Sequence, residues 1–177
     1  GVSLYPEQET MKEIENYLTM ASRYGFTKIF TSMFSVPGTK EEVFDYFKNF
    51  CDLAHKHGMK VSGDCNTAFF KKMGASESDI SIFKEMGIDI IRMDLPYFDQ
   101  RDVTLINNPY NITIELSSCM IQAVRMALEN GANPKNFSTC HNFYPERYTA
   151  SDLESISSVN KELATLGIPS AVFISSN

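Results

Sequence analysis

Short apolar runs alternate along this chain with longer stretches in which apolar residues recur every three or four positions. The short runs are rich in β-branched residues, as strands are, and the longer stretches have the periodicity of amphipathic helices. A glycine stands repeatedly between a helix-like stretch and the next apolar run, where a helix C-terminus is expected. These glycines are Gly25, Gly58, Gly87, Gly131 and Gly167. The pattern predicts helices that end at glycine and lead directly into strands.

Seven strands follow from this spacing. Five come after the glycines, and two more lie at the start of the chain and after Asn107-Asn108-Pro109. In chain order the predicted strands are GVSLY at the start, KIFTSM from Lys28, KVSGDC from Lys60, IDIIRMD from Ile88, NITIEL from Asn111, FSTCHNF from Phe137 and SAVFIS from Ser170. Strands that alternate with helices at this spacing are joined by right-handed crossovers and pair in parallel.

Three helices carry a start signal in which a threonine or serine precedes a glutamate by three positions, the spacing of a capping box. All three signals lie where the apolar pattern begins a helix. The predicted pairs are Thr10 with Glu13, Thr39 with Glu42, and Ser151 with Glu154.

The alternation fits a (β/α)8 TIM barrel or a doubly wound sheet. We favour the barrel because polar groups lie at the ends of nearly every strand, as in a site built around one barrel mouth. A doubly wound sheet usually carries a Gly-rich phosphate loop, and the sequence has no GxGxxG or Walker motif. The 177 residues, 43% of them hydrophobic, suffice for one core. We expect one α/β barrel domain of about seven β/α units, truncated before its eighth strand.

Charge and composition exclude some partners. The net charge is −6, and the sequence contains no cluster of Lys and Arg. Both features argue against nucleic acids and anionic membranes as binding partners. No apolar run approaches the roughly 20 residues of a membrane span. The four cysteines form no CxxC pair and indicate reduced thiols of a cytoplasmic protein.

Polar side chains follow the predicted strands at their C-terminal ends, where barrel enzymes place their catalytic groups. These are Glu7, Asp64, Asp94, Glu115, His141 and Asn142. Two carboxyl groups facing one mouth could cleave a glycosidic bond, one as proton donor and the other as nucleophile or base. Alternatively, mixed carboxylate and imidazole groups could hold a divalent metal.

Structural roles for the same acids remain open. Glu115 shares its inward parity with Arg92 on the neighbouring strand, so the two could form a buried ion pair. Asp64 could be the N-cap of the following helix, and Glu7 could belong to the acidic first turn of helix one. Asp94 stands at the exit of its strand, which favours a role in chemistry.

The segment HNFYPERYT gathers a histidine, an amide, aromatic rings and an arginine in one loop. Aromatic faces and amides suit a sugar, and Arg147 could meet a phosphate or a carboxylate. Alternatively, the loop is a turn whose Phe143 and Tyr144 cover the barrel top.

The strings IIRMD, NNPYNITIEL and CHNFYPERYT, in this order and spacing, resemble the bacterial 6-phospho-N-acetylmuramidase family, formerly known as uncharacterised "outer surface protein" TIM barrels. The resemblance implies a cytoplasmic glycosidase that cleaves 6-phosphorylated MurNAc-GlcNAc to MurNAc 6-phosphate and GlcNAc in peptidoglycan recycling. It also implies a complete barrel followed by a β-rich C-terminal domain, of which residues 1–177 would be the N-terminal catalytic part. Pro96, Ser117 and the Thr149-Ala150-Ser151 segment depart from the family pattern, which leaves the exact substrate open.

These observations define a set of expectations. The expected catalytic residues are Asp94, Glu115 and Asp64, and the expected substrate-binding residues are Glu7, His141, Asn142, Tyr144 and Arg147. We expect no cofactor or metal, a small phosphorylated amino sugar as substrate, and self-association through the open edges of the first and seventh strands. Two other functions stay open: a metal-dependent hydrolase or isomerase acting on a sugar phosphate, and a non-catalytic sugar-binding or structural fragment.

Overall fold

The computed structural model describes residues 1–6, 9–94, 99–116 and 121–174. Strands and helices alternate along them, and each predicted strand is confirmed within its predicted run. The strands are β1 Val2–Ser3, β2 Lys28–Ser32, β3 Lys60–Asp64, β4 Ile90–Met93, β5 Thr113–Leu116, β6 Phe137–Phe143 and β7 Ser170–Ile174. The helices are α1 Met11–Arg23, α2 Lys40–Lys56, α3 Thr67–Met73, α4 Ser81–Met86, α5 Gln100–Ile106, α6 Ile121–Glu129 and α7 Ala150–Thr165.

The chain forms two compact units. The first contains Gly1–Arg92 and Pro109–Ile112, and the second contains Met93–Asn108 and Thr113–Asn177. Within the first unit β1, β2, β3 and β4 pair in parallel in chain order, and within the second β5, β6 and β7 do the same. Parallel strands in chain order, with helices between consecutive strands, are the pattern of a (β/α)8 barrel. The expected fold class is therefore confirmed, with seven strands in the described residues.

Strand register in the first unit separates an apolar side from a polar side. Ile29 is the register partner of Val61, and Ile91 is the partner of Gly63, two residues further along β3. Ile29, Val61 and Ile91 therefore share one side of the sheet, and all three are fully buried. The fully buried side chains of α1 and α2, including Leu18, Phe47 and others, supply the helix layer of this core. Because side chains alternate along a strand, the intervening positions face the opposite side, which in a barrel is the interior.

Gly63 belongs to the apolar side and lies closely against its neighbour. A Cβ built at this position would lie 2.3 Å from the Met33 Sδ, well inside van der Waals contact. The missing side chain therefore makes room for Met33, which is itself fully buried.

The helix ends follow the predicted signals at most positions. The glycines expected at helix C-termini all have positive φ, a conformation that costs glycine little. At Gly87 a Cβ would also meet the Cys51 Cβ at 3.0 Å. Cys51, Cys65 and Cys140 are free and buried, whereas Cys119 lies outside the described residues.

Two of the three predicted capping boxes are confirmed, and the third is wrong by two residues. Thr10 with Glu13 and Thr39 with Glu42 form complete boxes. Helix α7 is instead capped by Thr149, whose extended backbone lets the Asp152 carboxylate accept from the Thr149 N–H at 2.6 Å. Asp152 therefore takes the capping-box position predicted for Glu154.

Replacing the cap separates the two assignments. Thr149→Ala is expected to lower the free energy of unfolding by about 1 kcal/mol, because it removes the acceptor for the Asp152 N–H. Ser151→Ala, the matched control, should change it by less than about 0.5 kcal/mol. Urea unfolding followed by circular dichroism gives both values, and a larger loss at Ser151 would contradict the cap at Thr149.

None of the helices in the described part of the chain is long and apolar enough to cross a membrane.

Candidate functional site

A charged row lies at the C-terminal ends of the strands in the first unit. Ser32 is the register partner of Asp64, and Asp64 is the register partner of Arg92. All three are therefore on the interior side of the sheet. Arg92 is 3% exposed, and its guanidinium carbon lies 5.1 Å from the centre of the Phe30 ring, within range of a cation–π contact.

Backbone hydrogen bonds continue past the C-terminal ends of β2 and β3 and connect these strand ends to their neighbours. The Met33 N–H donates to the Asp64 carbonyl at 3.0 Å, and the Cys65 N–H donates to the Arg92 carbonyl at 2.8 Å. Tyr5, which follows β1, lies edge-on to Phe30 with ring centres 6.5 Å apart. The Tyr5 and Phe30 rings therefore lie beside this row, and backbone hydrogen bonds hold the strand ends that carry it.

Asp64 is not a helix cap. Helix α3 is capped by Asn66, whose Oδ1 accepts from the Phe69 N–H at 2.8 Å. Asp64 is the last residue of β3 and half-buried. The capping alternative for Asp64 is therefore wrong, and its carboxylate lies with Arg92 on the interior side.

The second unit contributes two carboxylates in different surroundings. Asp94 directly follows β4 and is exposed, whereas Glu115 lies within β5 and is 4% exposed. Ile114 and Leu116 are buried on the other side of β5. The expected inward direction of Glu115, opposite the apolar side of its strand, agrees with this alternation.

Register in the second unit assigns His141 and Asn142 to opposite sides. Glu115 is the partner of Ser138, and Leu116 is the partner of Thr139. Side chains alternate along β6, so Asn142 is on the same side of the sheet as Ser138 and Glu115. His141 is on the same side as Thr139 and Leu116, which is the apolar side that faces the helices. His141 is 8% exposed.

The His141 ring lies close to α7. The His141 Nε2 and the Asn160 Oδ1 are both buried. Burial lowers the pKa of His141, and a hydrogen bond with the Asn160 side chain raises it by a smaller amount. The ring is therefore neutral at neutral pH and offers one N–H and one acceptor nitrogen.

The segment after β6 is a compact aromatic turn. The Arg147 N–H donates to the Tyr144 carbonyl at 2.9 Å, and the Arg147 guanidinium lies 5.2 Å from the centre of the Tyr144 ring. Tyr148 packs against Phe143 and Tyr144 with ring centres 5.3 and 6.1 Å away. The turn presents two tyrosines and a cation beside the end of β6.

A groove of about 410 Å³ opens between this turn and the start of α7. Its walls combine imidazole, amide, phenol, hydroxyl, carboxylate and aliphatic groups. They come from His141, Asn142, Tyr144, Tyr148, Asp152, Ser155 and Ile156. The last four were not expected from sequence, although the spacing of 152, 155 and 156 on one helix face directly after the turn is a signal that could have found them.

Parts of the expected site stay predictions. Glu7 lies outside the described residues. Asp64 belongs to the first unit, whereas Asp94 and Glu115 belong to the second, so their convergence on one mouth is still a prediction, as is an ion pair of Arg92 with Glu115. Within the described residues, no three His, Cys, Asp or Glu side chains are grouped as a metal site requires.

Comparison with known proteins identifies relatives of the whole chain. A family model described as "6-phospho-N-acetylmuramidase, N-terminal" matches residues 1–177, which confirms the resemblance inferred from the motifs. A comparison with curated proteins gives no match.

Two solved structures match this chain with TM-scores of 0.75 or more. An uncharacterised B. cereus protein is 32% identical with a TM-score of 0.77, and the match covers 96% of this chain and 45% of that one. A conserved Enterococcus faecalis protein of unknown function is 20% identical with a TM-score of 0.75, covering 96% and 46%. This chain thus spans less than half the length of these relatives.

More distant matches agree on the fold alone. Triosephosphate isomerase from Bartonella henselae is 9% identical with a TM-score of 0.56, and the match covers 98% of this chain and 90% of that one. This likeness supports the barrel fold class and carries no functional information.

Proposed function

Since the chain belongs to the 6-phospho-N-acetylmuramidase family as its N-terminal part, we propose that it is the glycosidase domain of a protein that cleaves 6-phosphorylated MurNAc-GlcNAc. The products are MurNAc 6-phosphate and GlcNAc, and the proposed setting is peptidoglycan recycling in the cytoplasm. The single observation that supports this most strongly is the family match over every residue of the chain.

The proposed catalytic pair is Asp94 and Glu115. Glycoside hydrolysis requires one carboxyl group that gives a proton to the leaving oxygen and one carboxylate that acts as nucleophile or base. Enzymes assign these roles by placing the two groups in different environments. One member of this pair is exposed at a strand exit and the other is buried within a strand, which supplies that difference.

Asp64 is proposed as a third acid of the site. It shares a register row with Arg92, so a fixed cation lies on the same side of the sheet. A carboxylate in such a row can orient a sugar hydroxyl or assist the reacting pair.

Substrate contacts are proposed for Asn142, Tyr144, Arg147, His141 and Glu7. Asn142 is on the interior side with Glu115 and can hydrogen-bond a sugar hydroxyl. Arg147 is exposed and carries the planar fork of donors that binds phosphate well. We therefore propose that Arg147 meets the 6-phosphate.

The direct test uses the full-length protein that contains this chain. Incubation with 6-phosphorylated MurNAc-GlcNAc is expected to release GlcNAc and MurNAc 6-phosphate, detected by mass spectrometry. The same disaccharide without phosphate is the matched control and should react far more slowly. Absence of cleavage would refute the proposal, and loss of cleavage with EDTA that returns with added Mn²⁺ or Zn²⁺ would replace it with a metal-dependent mechanism.

A further inference from the structure

The groove between the aromatic turn and α7 is built entirely within the second unit. Its floor is the end of β6, one wall is the Tyr144 and Tyr148 pair, and the other wall is one face of the first two turns of α7. About 410 Å³ lies within the range of small-molecule sites. The groove is large enough for a single pyranose ring.

The groove chemistry suits a neutral sugar. Tyr148 and Tyr144 offer ring faces, and Ile156 offers an aliphatic wall for the apolar parts of a sugar such as an N-acetyl methyl group. Asn142 provides an amide. The Ser155 hydroxyl donates to the Ser151 carbonyl at 3.0 Å, so its oxygen remains able to accept from a sugar hydroxyl.

His141 adds a neutral ring to the lining of the groove. It lines the groove and is 8% exposed. Burial lowers the pKa of its imidazole, so the ring carries no charge at neutral pH.

Charge distinguishes which half of the proposed substrate belongs here. The Asp152 carboxylate lines the groove and accepts hydrogen bonds from the backbone and side chain of Thr149, which lower its pKa. It is therefore ionised at neutral pH and disfavours an anionic group beside it. Arg147, the cation of the same turn, is not among the lining residues.

We infer that this groove is a subsite for the neutral amino-sugar ring of the substrate, with Tyr148 and Ser155 as specificity-determining residues, and that the phosphorylated ring lies outside it. This inference rests on the proposed function and adds which ring the groove holds. A GlcNAc unit has the required chemistry: hydroxyls for Asn142 and Ser155, a ring face for tyrosine, and no charge.

The first experiment measures binding with defined probes. Methyl N-acetyl-β-glucosaminide is titrated into the full-length protein by NMR, with N-acetylglucosamine 6-phosphate as the charged probe. Ser155→Trp, which fills the groove, is expected to weaken binding of the neutral probe at least tenfold. Ser157→Trp, an exposed site on the opposite side of α7 that does not line the groove, is the matched control and should bind as the unmodified protein does.

The second experiment measures kinetics with 6-phosphorylated MurNAc-GlcNAc. Ser155→Trp should raise KM at least tenfold with a smaller effect on kcat, because the groove contributes binding and not the reacting groups. If Ser155→Trp does not fold, as judged by its melting curve, Tyr148→Leu takes its place with the same expected loss.

The outcomes separate this inference from the proposed function. Unchanged KM and unchanged neutral-probe binding in a folded Ser155→Trp variant would overturn the subsite, even if the protein cleaves the disaccharide. If Ser155→Trp loses binding of the neutral probe while the unmodified protein does not cleave the disaccharide, the subsite is supported and the proposed reaction is refuted. Equal binding of the charged and neutral probes in the groove would overturn the assignment of the neutral ring.

Discussion

Asp94→Asn in the full-length protein is expected to lower kcat by about 10²–10⁴-fold, measured with saturating 6-phosphorylated MurNAc-GlcNAc. The amide keeps the size of the side chain but removes both the negative charge and the transferable proton. Either catalytic role therefore fails. Because Asp94 is exposed at the end of β4, the melting temperature should change little.

Asp45→Asn is the matched control for this substitution. Asp45 is an exposed aspartate on α2, and its replacement should leave both kcat and melting temperature unchanged. Near-normal turnover by Asp94→Asn would remove Asp94 from the mechanism and leave it a structural role at the strand end.

Glu115→Gln is expected to lower kcat by a similar factor, about 10²–10⁴-fold, with little change in stability. Glu115 is almost fully buried, so glutamine fits the same space and keeps part of the hydrogen bonding. The measurement combines steady-state kinetics with a denaturation curve on the same preparation.

A different result would assign Glu115 to the fold. If Glu115 compensates the buried charge of Arg92, its loss should cost about 3–5 kcal/mol of stability while the folded fraction keeps its turnover. Adding Arg92→Met to Glu115→Gln should then recover much of that stability, because the uncompensated cation is also removed. No recovery in the double variant, with kcat still reduced, would support the catalytic role.

The strands were predictable because their signals are local. Five of the seven runs follow a glycine that ends the preceding helix, and both signals are contained in about ten neighbouring residues. Gly87 leading into β4 is an example, with a φ of 91° at the glycine and buried Ile91 four residues later. Alternation then indicated the inward direction of Glu115.

The start of α7 was predicted wrongly because its sequence contains two overlapping signals. Ser151 with Glu154 and Thr149 with Asp152 have the same spacing, and the apolar pattern does not distinguish a helix that begins two residues earlier. The structure resolves this through backbone conformation: Thr149 is extended, with φ −91° and ψ 173°, and the helix begins at Ala150.

The side of the sheet that each β6 residue faces was also beyond the sequence. Alternation alone says that His141 and Asn142 face opposite ways. Which of them faces the interior depends on pairing with β5, whose Glu115 is more than twenty residues away along the chain. The spacing of the groove residues on α7 indicates that they share one helix face. That this face lies beside His141 follows only from the packing of α7 against β6.

The contact between Arg92 and Phe30 is expected to restrict which residues these two positions accept. The guanidinium is planar and can stack on a ring while its edges remain available for hydrogen bonds, whereas a lysine ammonium is a compact point charge on a flexible stem. Arg92 is almost fully buried against that ring. A lysine in its place would bury a strongly hydrated ammonium that cannot stack on the ring in the same way. Substitution tables score that exchange as mild, yet here an aromatic residue at 30 and an arginine at 92 should be inherited together.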